Sequence, residues 1–221
     1  MNKTFFIAAA AFLFAGTAQA ALLDFETGYA GNKTAIVGDE FEAAFGVTFS
    51  SAGGLNIVEV GGPADGFVPG DTPDPVDAFG SYFLTSGFGT VTQLVIDYTL
   101  GASEASFEVG DIDGSGSDLE EFTFVAKDEF GNVLSSQFVD GNDADAGDAA
   151  VTKIGFSGLS GLISKIEITG TTFGGTRKIG IAFDNFNTTL DTTTPVPLPA
   201  ALPLAIAGVG ALGFVRSRRK G

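Results

Sequence analysis

Apolar and polar residues alternate with a period of two through most of this chain, which leaves little room for a helical core. In "QLVIDYTL", Leu94, Ile96, Tyr98 and Leu100 fall on one face, and in "EEFTFVA" Phe122, Phe124 and Ala126 do so. "SKIEITG" groups Ile166 with Ile168, and "KIGIAF" groups Ile179, Ile181 and Phe183. Successive side chains of a strand point to opposite faces, so each such segment offers one face to a core and one to water. Shorter segments of the same kind are "LLDFE", "GVTFSS", "LNIVEV", "SYFLTS", "ASFEVGD", "NVLSSQFV" and "VTKIGFS". Gly, Asn and Asp punctuate them, with a hairpin turn expected at Gly131-Asn132. One helical turn is expected within "DEFEAAF", residues 39–45. About ten short strands with regular turn signals predict an all-β fold, a two-sheet jelly-roll-like sandwich over residues 21–186. No internal repeat is apparent, which argues against a solenoid or a propeller.

Composition narrows what such a sandwich does. Residues 21–194 hold all 27 acidic residues and six of the 11 basic ones, a net charge of −21. A surface that negative repels nucleic acid and anionic lipid and attracts cations. Histidine and cysteine are both absent, which removes Ser-His-Asp and Cys-His nucleophile systems and the usual zinc sites. Phenylalanine supplies 22 residues, tyrosine three and tryptophan none. Phe in a β-rich chain packs cores. For an open aromatic sugar platform only Tyr29, Tyr82 and Tyr98 remain.

The two ends read differently from the body. "MNKTFFIAAAAFLFAGTAQA" has a basic start, an apolar run and small residues ending in Ala18-Gln19-Ala20, the layout of a secretory signal over residues 1–20. Signal peptidase is expected to cut between Ala20 and Ala21. A polar linker, residues 187–195, leads to a last segment, 196–221. There Leu198 to Val215 gives 18 residues without a charge, followed by Arg216, Arg218, Arg219 and Lys220. As a helix this run spans roughly 27 Å, just short of a bilayer's hydrocarbon core. The basic residues would stay on the cytoplasmic side and the body outside. Pro199, Pro203 and three glycines make this a weak permanent anchor and a plausible temporary one. The box Val196, Pro197, Leu198, Pro199 and Ala200, the short apolar helix and the Arg-rich end together resemble the VPLPA variant of the PEP-CTERM sorting signals. That resemblance implies export in a Gram-negative bacterium and transient insertion in the inner membrane. It also implies cleavage near the box by an exosortase-type membrane transpeptidase, and delivery to the cell surface or extracellular matrix, where exopolysaccharide is the expected partner.

Two acidic clusters are candidate metal sites. "LLDFETG" and "IAFDNF" resemble the terminal segments of jelly-roll carbohydrate-binding modules and galactose-binding-like sandwiches, where an early "DFE" and a late Asp strand meet around a structural calcium. The resemblance implies Asp24, Glu26, Asp184 and Asn185 as ligands here; the alternative is polar edge-strand side chains facing water. The second cluster is "DIDGSGSDLEE". Asp111, Asp113, Ser115 and Gly116 match the opening of an EF-hand loop, but Phe122 stands where that loop needs Glu and the flanks read as strands. Asp111, Asp113, Asp118 and Glu120 remain a looser calcium set, against a plain acidic turn. "DGNDADAG" is a weaker version of the same.

No phosphate-cradling loop and no clear acid and nucleophile pair is present. The expectation is therefore a non-catalytic, exported sandwich, binding calcium as a structural ion and polysaccharide as a ligand. The alternative is a matrix-polysaccharide hydrolase using a carboxylate such as Glu120 or Glu121.

Overall fold

The structure is a computed structural model and describes residues 20–62, 77–86, 91–115, 118–143, 146–147, 149–174, 179 and 182–190. Residues 1–19 of the signal segment, 191–195 of the expected linker, the 196–221 tail and most of the Pro/Asp/Gly loop at 63–80 lie outside the described residues, whereas 187–190, expected as linker, form the end of the last strand. Among the described residues no helix is long and apolar enough to cross a membrane.

Among the described residues the chain is all-β and antiparallel, apart from one helical turn. In order, its elements are β1 (Ala20–Leu23), β2 (Lys33–Ile36), α1 (Glu42–Phe45), β3 (Val47–Ser50), β4 (Leu55–Glu59), β5 (Tyr82–Ser86), β6 (Val91–Gly110), β7 (Gly114–Ser115), β8 (Asp118–Lys127), β9 (Val133–Asp140), β10 (Val151–Phe156), β11 (Ile163–Phe173) and β12 (Ala182–Leu190). The single helical turn falls where the sequence places it, within residues 39–45. The β8–β9 hairpin turns at Gly131, with Asp128 accepting hydrogen bonds from the Phe130 and Asn132 amides at 2.9 and 2.8 Å.

All twelve strands among the described residues belong to one hydrogen-bonded sheet, and the reason is β6. The sequence reads as two strands, "QLVIDYTL" and "ASFEVGD"; the structure runs one 20-residue strand through both. Its first half pairs with β3 and β11, its second half with β10 and β12. Between the halves Gly101 takes a φ of 74°, the left-handed region open to glycine. There the buried face changes parity, from Leu94, Ile96 and Tyr98 to Ala105, Phe107 and Val109. The sheet thus folds over along β6 into two layers. One is β3, the first half of β6, β11, β8 and β9; the other is β10, the second half of β6, β12, β5, β4 and β2, with β1 also on β12.

Phenylalanines fill the space between the layers. Phe107 lies 5.9 Å from Phe124 on the facing layer and stacks on Phe186 at 5.5 Å. Phe49 meets Phe186 at 4.9 Å, and Phe25 contacts both Phe41 and Phe186 edge-on. The alternating residues read from sequence are the ones buried: Phe122, Phe124, Ala126, Ile166, Ile168, Ile179 and Phe183. Leu100 is half-buried, just before the point where the face changes. Tyr98 is buried, and Tyr29 and Tyr82 pack against the core, so none of the three forms an open platform.

Candidate functional site

The segment "DFE" does not continue β1. The strand stops at Leu23, and Phe25 takes a φ of 56°, unusual for an aromatic residue. This turn drives the Phe25 ring into the core, where it is 1% exposed, and leaves Asp24 and Glu26 outside the apolar layer. Glu26 Oε1 then accepts hydrogen bonds from the amides of Ser81 and Tyr82 at 2.6 and 3.1 Å. Gly80 makes room for it: its φ is 56°, and a Cβ at that position would overlap the Glu26 carboxylate.

The other half of the site comes from a bulge in β12. Between Asp184 and Asn187 the register against β6 shifts, and Asn185 adopts a φ of 53°. One extra residue in a ladder re-aims the side chains on either side of it. Asp184 pairs with Glu108 across the ladder and is 1% exposed, and its Oδ1 has no hydrogen-bond partner. Burial, outweighing the Asn185 backbone N–H and aided by the charges of Asp24, Glu26 and Glu108, raises its pKa to about 9. The Asn185 amide Nδ2 donates to the Ala78 carbonyl and to Glu108 Oε2, both at 2.7 Å.

The structure brings Asp24, Glu26 and Asp184 into one electrostatic neighbourhood. It also adds Glu108, which no motif marks; its place opposite Asp184 depends on strand pairing. Asn185 differs from the expectation, because its side chain bonds to Glu108 and to Ala78. Among the described residues no three acidic groups converge closely enough to hold an ion as they stand. The carboxyl groups offer only oxygen, the donor type that a hard cation takes, and Asp184 Oδ1 is a buried oxygen without a hydrogen-bond partner.

The second cluster is knitted into the backbone. Asp111, with a φ of 66°, is buried and accepts the Ala149 amide through Oδ1 at 3.0 Å. Glu120 is buried, and its Oε2 accepts the Asp113 amide at 3.3 Å. Asp113 and Glu120 bracket the short β7–β8 hairpin, with Asp118 at the start of β8. In the weaker "DGNDADAG" segment, Asp140 Oδ1 accepts the Asn142 amide and Asp143 Oδ2 the Asp140 amide. Asp145 and Asp148 lie outside the described residues. Glu120 and Glu121 are neighbours on β8 and face opposite sides, so they cannot act as a pair on one substrate.

Sequence reasoning did not find the cleft. Ala105 and Phe107 of β6 point inward, so Glu104, Ser106 and Glu108 point outward; likewise buried Phe186 and Thr188 leave Asn187 and Thr189 on the outer face of β12. The pairings Asn187↔Ser106, Thr189↔Glu104 and Gly155↔Ser106 put these residues side by side. With Ser157 and Phe156 they line a cleft of about 470 Å³. Exposed Leu22 of β1 extends the row beside Asn187, and Gln137 of β9 donates to the Gly155 carbonyl at 2.6 Å. These side chains are spread over three strands far apart in the chain, so no local pattern announces them.

No family model matches the chain. No curated protein matches it either. Solved structures do resemble it at low identity. A DUF4465 family protein from Bacteroides caccae aligns with a TM-score of 0.45 and 11% identity, over 78% of this chain and 99% of that one. TmCBM61, solved with β-1,4-galactotriose, aligns with a TM-score of 0.39 and 13% identity, over 70% and 94%. The K2 adhesin domain of Lys-gingipain aligns with a TM-score of 0.40 and 13% identity, over 77% and 98%.

Proposed function

We propose that this chain is an exported, non-catalytic β-sandwich that binds neutral saccharide in the cleft across β10, β6 and β12. The observation that carries this reading is the cleft's lining. Ser106, Ser157 and Thr189 each offer a hydroxyl, Asn187 an amide with two donors and an acceptor, and Glu104 a carboxylate acceptor. A saccharide hydroxyl both donates and accepts, and so matches this mixture, whereas an apolar ligand would strand it. The volume lies within the usual range for small-ligand sites. Glycoside hydrolysis needs two carboxylates flanking the scissile bond, and the cleft is lined by one, which favours binding over cleavage.

In this reading Asp24, Glu26, Glu108 and Asp184 hold a calcium ion that neutralises the buried carboxylate and supports the fold. The signal segment and the VPLPA-type tail deliver the sandwich to the cell surface or matrix and are removed on the way, so the mature chain begins at Ala21 and lacks its basic end. Intact mass of the surface-recovered protein tests this processing. Full-length recovery would refute it.

The binding test is calorimetric titration of the mature chain with β-1,4-galactotriose and with xylotetraose, two neutral oligosaccharides that differ in sugar. Asn187→Ala and Glu104→Ala should each weaken binding about tenfold or more, the loss expected for a hydrogen bond to a polar or charged group. Their melting temperatures should stay near that of the parent. Binding that survives both substitutions would remove the cleft from consideration.

A further inference from the structure

The acidic cluster and the cleft share the same two strands and the same outer face. On β6, Glu108 of the cluster lies two residues from Ser106 of the cleft; on β12, Asn185 lies two residues from Asn187. On the regular part of β6, residues two apart stand on one face about 7 Å apart; on β12 the left-handed Asn185 of the bulge intervenes. The register shift between Asp184 and Asn187 separates the two sites on β12. That bulge sets the position of Asn187 opposite Ser106, because slipping it by one residue would turn Asn187 to the other face.

We propose that the two sites are thermodynamically coupled: a divalent cation at the Asp184 cluster tightens saccharide binding in the adjoining cleft, with Asn185 as the positioning residue between them. The proposal rests on the saccharide reading of the cleft. Its physical basis is the buried Asp184 Oδ1, which has no hydrogen-bond partner; among the described residues no three acidic groups stand close enough to hold an ion without movement. Cation binding must therefore move at least one of them toward Asp184 Oδ1, the buried oxygen without a partner. Glu108 faces Asp184 across the ladder and is bonded to Asn185. A shift of Glu108 pulls on the residue whose left-handed backbone defines the bulge, and so on the placement of Asn187. Glu26 gives a second connection. It is held by the Ser81 and Tyr82 amides at the end of the 77–82 segment, and that segment's Ala78 carbonyl holds the other hydrogen of the Asn185 amide.

Coupling between binding sites is reciprocal, and typical magnitudes are roughly 5- to 150-fold. The test titrates the mature chain with β-1,4-galactotriose and xylotetraose in excess calcium and in chelator, then titrates calcium with and without the saccharide that binds. The expected result is saccharide affinity about tenfold higher with calcium, and calcium affinity raised by the same factor with saccharide. Asp184→Asn should bind saccharide at the chelator level in both conditions. Asn185→Gly, which keeps the left-handed backbone and removes both side-chain hydrogen bonds, should still be stabilised by calcium while its saccharide affinity no longer responds. Saccharide binding that is equal in calcium and chelator overturns the coupling and leaves the cleft reading standing. Absence of saccharide binding in both conditions overturns the cleft reading itself. Absence of any calcium-induced rise in melting temperature overturns the cation site.

Discussion

Asp184 is the residue on which folding and ligand chemistry meet. In the unfolded chain its carboxyl ionises near 3.8, and in the folded, cation-free protein near 9. Between those values the folded state holds a proton that the unfolded state lacks, so this group's contribution to stability is complete below about pH 4 and is lost as pH rises toward 9. In chelator, the melting temperature of the parent should therefore fall from pH 5 to pH 9 faster than that of Asp184→Asn. At pH 8 the variant should melt higher, since folding with a neutral amide requires no proton to be taken up from solution. Thermal melts across this range decide it, and parallel curves would mean that Asp184 is already ionised in the native state. Phe107 shows the opposite kind of constraint. It is fully buried between Phe124, Phe183 and Phe186, at centroid distances of 5.9, 6.3 and 5.5 Å. Phe107→Ala should cost about 3–5 kcal/mol in denaturant unfolding, from lost burial and the cavity left behind.

At the level of elements, β6 ties the layers together, and its turning point is Gly101. An L side chain there meets a left-handed backbone, and its Cβ would lie 3.2 Å from the Leu162 Cβ. Gly101→Val should destabilise the fold by about 1–2 kcal/mol from the backbone alone. Urea unfolding gives the measurement, and an unchanged midpoint would show that β6 bends elsewhere. The β12 bulge is the second element-scale device, because it lets Phe183 and Phe186 both reach the core while Asp184 turns to the other side. Without that extra residue the strand could serve the core or the acidic cluster, not both.

For the molecule as a whole the dominant quantity is charge. The body carries −21, and two of its lysines, Lys127 and Lys165, are paired with Glu167 and Asp97 on the outer face of the layer opposite the cleft. The cleft contains Glu104 and is lined by no basic residue. Like charge repels at long range and is screened by salt. In affinity electrophoresis at low ionic strength the mature chain should be retarded by a neutral polysaccharide such as galactan or xylan and not by polygalacturonate. Retardation by polygalacturonate in chelator would contradict the charge argument.

The amino-acid sequence determined the fold class, because a period-two pattern commits side chains to alternate faces whatever their later neighbours. Residues such as Phe122, Phe124, Ile166 and Ile168 could be assigned to the core from spacing alone. It also marked Asp24, Glu26 and Asp184, through the resemblance of their two short segments to the terminal segments of jelly-roll carbohydrate-binding modules. Other features were settled only by the tertiary structure. That β6 is one strand through two layers depends on the partners each half finds. That Glu108 faces Asp184, and that Glu104, Ser106, Asn187 and Thr189 share a cleft, depends on the pairing register of β6 with β12, some 80 residues apart in the chain. Register is a property of two strands together, set by the bulge and by the side chains that must be buried between the layers, and neither strand specifies it alone.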